Sequence, residues 1–345
     1  IHPGTGRWQR NALTEGAGHS RSACGDPPPP FASQMVPRPV PGRSKEKQMT
    51  DEMPEPVPSP AQLAQNLVDL LDVEEIDTDL YRGKRGNDGF GRVFGGQVIA
   101  QALQAAQRST DDPKAAHSLH AYFMRAGAEE HPIIYRVVRD FDGKSFATRR
   151  VIAMQKGVPI LTMSCSLQVP EEGLAHQDTM PDVPPPEDLV SDRDLRLAML
   201  DNIPERFRAN FMRPRMVDIR PVSPRSWFNP VIQEPRQNSW FRVVAPVGDD
   251  PALHRAILAY ASDMSLLGTA TLAHGVNWMT HKLQTASLDH TVWIHEPFRA
   301  DEWLLYACDS PWAGHARGFN RGKIFARDGR LVASCAQEGL IRLRE

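Results

Sequence analysis

An internal repeat constrains this chain more than any other feature, because short motifs in its first half recur in the same order in its second half. Three pairs of matched positions carry the repeat: Ser118-Leu119 with Ser287-Leu288, Tyr135 with Tyr306, and Lys156-Gly157 with Asp328-Gly329. Such a repeat has to be recognised before a fold is assigned, since it implies two copies of one supersecondary unit. We therefore expect two similar units in tandem.

Each unit is predicted to begin with a buried helix. Residues 97–106 in the first half and 252–272 in the second are apolar or small on nearly all sides, which is typical of a core helix. Segments rich in β-branched, aromatic and apolar residues follow at 117–127, 133–139, 145–155 and 159–169, and again at 287–295, 303–309, 318–326 and 331–339. One long helix followed by an antiparallel sheet that can wrap it is a hotdog unit. The predicted fold class is therefore α+β, a double hotdog.

The domain boundaries follow from changes in composition. Residues 1–60 hold 12 of the 30 prolines and few large apolar side chains, so they cannot bury enough surface to offset their ordering entropy. We predict a disordered Pro-rich extension there, with residues 1–48 an upstream segment that has no role in the fold. The expected order beyond it is a first hotdog repeat at 61–169, a Pro-rich linker at 170–235 with one short helix near 194–201, and a second repeat at 236–345 that carries the candidate catalytic residues.

Charge and apolar patterning exclude several classes of partner. The formal net charge is −2, so there is no basic field to attract nucleic acid. No uncharged apolar run reaches the roughly 18–20 residues that span a bilayer, and we expect no membrane insertion. The four cysteines form no CxxC pair and fit no zinc template, which favours a reducing compartment and a cytoplasmic location.

Asp263 is the most informative polar residue. It is predicted to lie within the second buried helix, where a carboxylate is costly unless it is paired or hydrogen-bonded. The corresponding helix of the first repeat holds no Asp or Glu between Gly95 and Ser109. Two interpretations stay open: an Asp on the helix surface near a bend, or a general base at the edge of a cleft.

Ser287 and Gln337 are the other polar candidates. Ser287 begins a predicted strand but lacks the flanking glycines of a nucleophile elbow, so we expect a hydrogen-bonding role rather than a nucleophile. Gln337 ends an apolar strand, where its amide can pair with a neighbouring amide or hold a water molecule.

No metal or cofactor is predicted. Two pairs of histidines are close in sequence, but on regular strands the members of each pair point to opposite faces and cannot chelate one ion: His117 with His120, and His290 with His295. The glycines between Gly83 and Gly96 fit neither a phosphate loop nor a dinucleotide fingerprint. Their expected role is a turn and a close helix entry.

The motifs of both halves together resemble type II acyl-CoA thioesterases, the TesB-like family. In the first half they are VFGGQV at 93–98, HSLHAYF at 117–123 and DGKSFATRRV at 142–151. In the second half they are Ser262-Asp263, SLDHTVWIH at 287–295, ARGF at 316–319 and QEG at 337–339. The resemblance runs in order from about Leu67 to Arg342.

The resemblance implies a double hotdog fold and hydrolysis of acyl-CoA to a free fatty acid and CoA. Members of the family hold a water molecule with an Asp, a Ser or Thr, and a Gln, and these roles fall on Asp263, Ser287 and Gln337. Four arginines are candidate contacts for the phosphates of CoA, or else form a solvated strand face: Arg149, Arg150, Arg317 and Arg321. A single active site per chain is expected, built only from polar residues of the second repeat.

Two other functions remain as alternatives. A hotdog enoyl-CoA hydratase pairs an Asp with a His five residues on, whereas the residue five past Asp263 is Gly268. A non-catalytic acyl-CoA-binding module is the second alternative, and retention of all three polar residues argues against it. Since hotdog sheets often pair edge to edge, a homo-oligomer is expected.

Overall fold

The structure, a computed structural model, describes residues 57–86, 91–110, 113–203 and 205–344. The α-helices in these ranges are α1 (Pro60–Leu71), α2 (Gly95–Arg108), α3 (Asp192–Ala198), α4 (Glu205–Met212) and α5 (Pro251–Ser262). The strands of the first half are β1 (Val73–Asp77), β2 (Leu80–Gly83), β3 (Ala115–Phe123), β4 (Ile133–Asp142), β5 (Phe146–Gln155) and β6 (Val158–Gln168). The later strands are β7 (Val217–Pro221), β8 (Arg236–Val243), β9 (Leu283–Ser287), β10 (Asp289–Ile294), β11 (Leu304–Gly314), β12 (Arg317–Ala326) and β13 (Leu331–Leu343). Nearly all of the predicted Pro-rich extension lies outside the described residues.

The strands in the described part of the chain join one antiparallel sheet. Its order is β1-β2-β4-β5-β6-β3-β10-β13-β12-β11-β8-β7, with β9 also paired to β13. The order is symmetric about the contact between β3 and β10, so that β2-β4-β5-β6-β3 corresponds to β8-β11-β12-β13-β10. This is the tandem α+β arrangement of a double hotdog, as the internal repeat predicts.

Helices α2 and α5 lie antiparallel against each other in the core. At one end the side-chain amide of Gln107 donates to the carbonyl oxygen of Ala252, at 3.2 Å. At the other end a Cβ on Gly96 would lie 2.5 Å from the carbonyl oxygen of Tyr260, so only glycine allows this approach. Residues 96–106 of α2 are all buried, which confirms the helix predicted from their small and apolar side chains.

Two matched tyrosines fix each sheet to its own helix. Both are buried, and the hydroxyl of Tyr135 donates to Gln101 Oε1 at 2.7 Å. The hydroxyl of Tyr306 donates to the backbone carbonyl oxygen of Ser262 at 2.8 Å. The repeat therefore extends to the contacts between sheet and helix, although the partner is a side chain in one copy and the backbone in the other.

The second central helix is shorter than predicted. It ends at Ser262, with Asp263 as its C-cap, and the chain continues as a 3-10 helix at Leu266–His274. In a continuous α-helix the Ser262 carbonyl would accept from the amide of Leu266, but here it accepts from the Tyr306 hydroxyl. The prediction that Asp263 lies within a helix is therefore wrong, and the carboxylate stands at a helix end.

The segment Pro251–His274, taken across this break, is long and apolar enough to cross a membrane by length and composition alone. Within the fold, 78% of the most apolar 18-residue stretch of this segment is buried. Burial of this kind is what a core helix shows, and α5 packs against α2 within the hydrophobic core.

The segment predicted as a linker contains more structure than expected. The predicted short helix is present as α3, but α4 and β7 follow it. Strand β7 pairs with β8 along its whole length, from Val217 opposite Val243 to Pro221 opposite Ser239, and so extends the sheet. The alternation of apolar and polar side chains in β7 is too short, and includes too many charged residues, to be recognised from sequence. The boundaries at 169 and 236 remain a prediction.

The strand predicted at 287–295 is divided in two. β9 ends at Ser287 and β10 begins at Asp289. Between them the backbone of Leu288 donates to the carbonyl oxygen of Glu338 at 2.9 Å, and its own carbonyl accepts from the amide of Phe123 at 2.9 Å. Ser287 therefore lies at the end of one strand rather than at the start of another.

Candidate active site

The three polar residues predicted from the sequence lie together, although they come from three separate elements. The amide nitrogen of Gln337, Nε2, donates to Asp263 Oδ1 at 2.6 Å. The same nitrogen lies 3.1 Å from Ser287 Oγ. The cluster joins the C-cap of α5, the end of β9 and the middle of β13.

Strand pairing explains how two of these side chains reach one place. Gly339 of β13 pairs with Ser287, and two residues earlier on the same face stands Gln337, which pairs with Asn320 of β12. Because side chains alternate along a strand, Gln337 points into the core, where it is fully buried. Ser287 is only partly buried and faces the same region from the edge of the cluster.

The carboxylate of Asp263 is poised to act as a base near neutral pH. Its side chain is 5% exposed, and this burial raises the pKa to about 6. The Gln337 amide and the backbone amide of Gly96 donate to the carboxylate and partly oppose that rise. A carboxyl group with a pKa near 6 is mostly ionised at pH 7 and still accepts a proton readily.

His290 belongs to the cluster and was missed as a member of it. Its Nδ1 lies 3.1 Å from Gln337 Nε2 and 3.8 Å from Asp263 Oδ1, and its Nε2 lies 2.8 Å from Ser262 Oγ. The ring is completely buried, which lowers its pKa to about 4, so it is neutral at pH 7. The sequence signal was available, because alternation along the strand places His290 and the buried Val292 on one face.

The first repeat also contributes to the site. A Cβ on Gly95 would lie 2.7 Å from Asp263 Oδ2, and the Gly96 amide donates to the carboxylate, so the N-terminus of α2 faces Asp263. The positive end of a helix stabilises a nearby anion. The prediction of a site built only from polar residues of the second repeat is therefore incomplete, because the backbone of the first repeat holds its carboxylate.

The equivalent positions of the first repeat carry different chemistry. Strand pairing traced outward from the matched Tyr135 and Tyr306 aligns Leu119 of β3 with His290, and Cys165 of β6 with Gln337. The sequence-based match of Ser118-Leu119 with Ser287-Leu288 is therefore wrong by two residues. Leu119 and Cys165 are both buried, and desolvation raises the pKa of the Cys165 thiol to about 12, so it stays protonated. No carboxylate replaces Asp263 in α2. The first repeat therefore lacks the buried carboxylate of the second.

Only some of the arginine candidates are exposed. Arg149 is 1% exposed and bonds to Asp142 at 2.6 Å and to Ser109 Oγ at 3.0 Å, so it cannot meet a CoA phosphate. Its side chain follows the inward face of β5, which the sequence pattern did not resolve. The other three lie on the surface, and each forms an ion pair: Arg150 with Asp140, Arg317 with Glu338, and Arg321 with Asp309.

The histidines considered as metal ligands bind other groups. His117 Nε2 lies 2.9 Å from Ser166 Oγ, and His295 Nε2 lies 2.9 Å from Ser334 Oγ. His120 packs edge-on against Trp293. Among the described residues, no group of three or more His, Cys, Asp or Glu side chains is arranged to hold a metal ion.

Two family profiles match the chain, one in each half. The profile described as an acyl-CoA thioesterase N-terminal domain matches residues 85–168, and the profile described as acyl-CoA thioesterase matches residues 207–340. Human acyl-coenzyme A thioesterase 8 is 41% identical over 284 residues, covering 80% of this chain and 88% of the relative. Acyl-CoA thioesterase 2 of Haemophilus influenzae is 37% identical over 280 residues, covering 81% of this chain and 98% of the relative.

Solved structures agree on the architecture. The acyl-CoA thioesterase II TesB2 of Mycobacterium marinum superposes with a TM-score of 0.66 at 41% identity, covering 81% of this chain and 99% of that one. A hot dog fold protein of Alicyclobacillus acidocaldarius superposes with a TM-score of 0.65 at 19% identity, covering 81% of this chain and 99% of that one. The second likeness supports the fold alone.

Proposed function

The chain belongs to the type II acyl-CoA thioesterase family, and from this premise we propose that it hydrolyses fatty acyl-CoA to a free fatty acid and CoA with a water molecule activated by Asp263. Ser287 orients that water with its hydroxyl, and Gln337 does so through the Asp263 carboxylate that it holds. One observation carries the assignment of residues: Asp263 and Ser287, from separate elements, both lie within hydrogen-bond distance of the Gln337 amide nitrogen.

The hydrogen-bonding capacity of Gln337 leaves Ser287 available to water. Its Nε2 carries two protons but has three acceptors around it, namely Asp263 Oδ1, Ser287 Oγ and His290 Nδ1. The ionised carboxylate and the ring lone pair cannot donate a proton themselves, so they take both of these protons. The Ser287 hydroxyl can then donate to, or accept from, a water molecule at the exposed side of the cluster.

The reaction begins with transfer of a proton from this water to Asp263. The water oxygen forms a bond to the carbonyl carbon of the thioester as the proton leaves, and a tetrahedral oxyanion results. General-base catalysis of this kind typically contributes about 10²–10⁴-fold. Holding the water in line with the carbonyl supplies a further entropic advantage.

Collapse of the tetrahedral intermediate breaks the carbon–sulfur bond. The thiolate of CoA leaves and takes the proton that Asp263 had accepted, so the carboxylate is regenerated. The products are one carboxylic acid and one thiol, and no covalent enzyme intermediate forms. A thioester suits this route because its carbonyl is electrophilic and its leaving group is a weak base.

Apolar side chains next to the cluster support a hydrocarbon substrate. The Phe123 ring would lie 3.0 Å from a Cβ on Gly95, beside the carboxylate. Leu267 packs against Gly339, the pairing partner of Ser287. An acyl chain is bound most favourably by surface of this kind between helix and sheet.

We further propose one active site per chain, since only the second repeat carries a carboxylate at the end of its central helix. Titration with a slowly hydrolysed acyl-CoA analogue is expected to give one equivalent per chain. A homo-oligomer and a cytoplasmic location, without membrane insertion, are part of the same proposal. Light scattering and cell fractionation test these two points.

A comparison of three activities tests the proposed function against its alternatives. The protein is expected to release thiol from palmitoyl-CoA and to leave crotonyl-CoA unhydrated. Hydration of crotonyl-CoA without thiol release would support the hydratase alternative. Binding of palmitoyl-CoA without either reaction would support the binding module.

A further inference from the structure

A chain of buried hydrogen bonds runs behind the proposed water-binding residues and ends on the backbone of α5. It passes from Asp263 to Gln337, from there to His290, and on to Ser262 and the carbonyl oxygen of Ala259. We infer that His290 is a positioning residue that fixes the direction of the Gln337 amide, and through it the Asp263 carboxylate. The inference rests on the proposed function, because its consequence is the rate of the water attack.

The protons along this chain can be assigned from its buried end. Ser262 Oγ donates to the carbonyl of Ala259 at 3.0 Å, so toward His290 it has only lone pairs to offer. The Nε2 of His290, 2.8 Å from that oxygen, must therefore carry the ring proton and donate it. Nδ1 is then a lone pair and accepts from the Gln337 amide at 3.1 Å. With this assignment every donor in the chain faces an acceptor.

The same assignment fixes which way the Gln337 amide points. Its oxygen, Oε1, is buried and has no hydrogen-bond partner among the described residues, so only the nitrogen side holds the amide. Rotating the amide by half a turn would bring Oε1 against both the Nδ1 lone pair and the Asp263 carboxylate. Because Oε1 is itself an acceptor, it would form no hydrogen bond with either group, and that orientation is excluded. His290 therefore adds a second reason, besides Asp263, for Gln337 to present its NH₂ group.

The role requires a neutral ring. An imidazolium would carry a proton on Nδ1 and meet the Gln337 N–H groups, donor against donor. Burial of His290 lowers its pKa to about 4, which keeps Nδ1 unprotonated through the working range. The nearby Asp263 carboxylate, 3.8 Å away, favours the charged ring but is outweighed by desolvation.

The first repeat supplies the natural comparison for a test. Its Leu119 stands where His290 stands in the second repeat, so the substitution His290→Leu uses a residue that this fold already accepts at that position. His290→Asn instead keeps an acceptor oxygen close to the place of Nδ1. His295→Leu is the matched control, because His295 is exposed just after the end of β10 and its ring bonds to Ser334 rather than to the Gln337 cluster.

The decisive experiment is a double-mutant cycle on thiol release from palmitoyl-CoA. We expect His290→Leu to lower kcat about 10-fold with KM unchanged, and His290→Asn to recover most of that loss. In a Gln337→Ala background His290→Leu should lower kcat by less than about 2-fold, since the group through which it acts is gone. His295→Leu should match the wild type. Equal losses in both backgrounds, or no loss in the single variant, would overturn the inference.

A second measurement does not depend on turnover and so separates this inference from the proposed function. Nitrogen NMR of histidine-labelled protein at about pH 7 is expected to show His290 as the tautomer protonated on Nε2. The resonance is assigned from its absence in His290→Asn, and it should shift in Ser262→Ala. A ring protonated on Nδ1, or a charged ring, contradicts the inference even if the enzyme is active. Failure of the wild type to release thiol contradicts only the proposed function, and the spectrum still decides the role of His290.

Discussion

Gln337 Nε2 donates to Asp263 Oδ1 at 2.6 Å, and this bond joins the middle of β13 to the point where α5 ends. The break in the helix is what makes the contact useful. Within a regular buried helix the carboxylate would be surrounded by apolar side chains and would lack hydrogen-bond donors. At the C-cap position it instead faces the sheet and the N-terminus of α2. The Tyr306 hydroxyl, bonded to the Ser262 carbonyl, holds the break in place.

Ser287 should tolerate a hydroxyl-preserving change. We expect Ser287→Thr to keep most of the activity and Ser287→Ala to lower kcat more, because any hydroxyl 3.1 Å from the Gln337 amide can orient water. Steady-state thiol release compares the variants. Mass spectrometry of the intact protein during turnover is the control, and an acyl adduct on Ser287 would contradict the water mechanism.

The pH dependence of the reaction should follow Asp263. Burial raises its pKa to about 6, and only the ionised form accepts a proton, so kcat/KM should rise with pH and level off above about 7. His290, with a pKa of about 4, is neutral throughout and contributes no midpoint in this range. A profile whose midpoint lies near the usual aspartate value of about 4 would contradict the raised pKa of Asp263.

Asp263→Asn should make the protein more stable relative to the wild type as pH rises. The folded-state pKa of Asp263 is raised from its ordinary value of 3.8 to about 6, so the folded state holds the proton more tightly than the unfolded chain. The wild type therefore loses stability between about pH 4 and 6, and the asparagine variant does not. Denaturant unfolding across that range measures the difference, which should be small at low pH and constant above about pH 7. A difference that does not change with pH would contradict the assigned burial.

Gly96→Ala should destabilise the fold even though alanine favours helices. The new Cβ would lie 2.5 Å from the backbone oxygen of Tyr260, and overpacking of this kind costs about 1–3 kcal/mol. Gly173→Ala is the matched control, because its Cβ meets nothing within 4 Å. Thermal unfolding of both variants tests the contact. Equal melting temperatures would show that α2 and α5 do not depend on this approach.

The sequence predicted the parts of the fold that depend on local patterning. The small and apolar helix of the first repeat and most strand positions follow from residue patterning, and they are present. The asymmetry between the two repeats was also visible, since Asp263 has no counterpart in α2.

Long-range contacts account for what the sequence did not predict. At the end of α5 the Ser262 carbonyl accepts from a tyrosine hydroxyl of β11, a contact that no residue near Asp263 predicts. The division of the predicted strand at Leu288 depends on backbone bonds to two other strands. The contact of the Gly96 amide with the site could be predicted only from the antiparallel packing of α2 and α5, which the sequence does not show.

The general-base role of Asp263 is tested by the turnover of Asp263→Asn with palmitoyl-CoA at about pH 8, where the wild-type carboxylate is ionised. Circular dichroism establishes that the variant is folded. We expect kcat to fall by at least about 10²-fold, the low end for loss of a general base. Wild-type turnover in a folded Asp263→Asn protein would contradict that role.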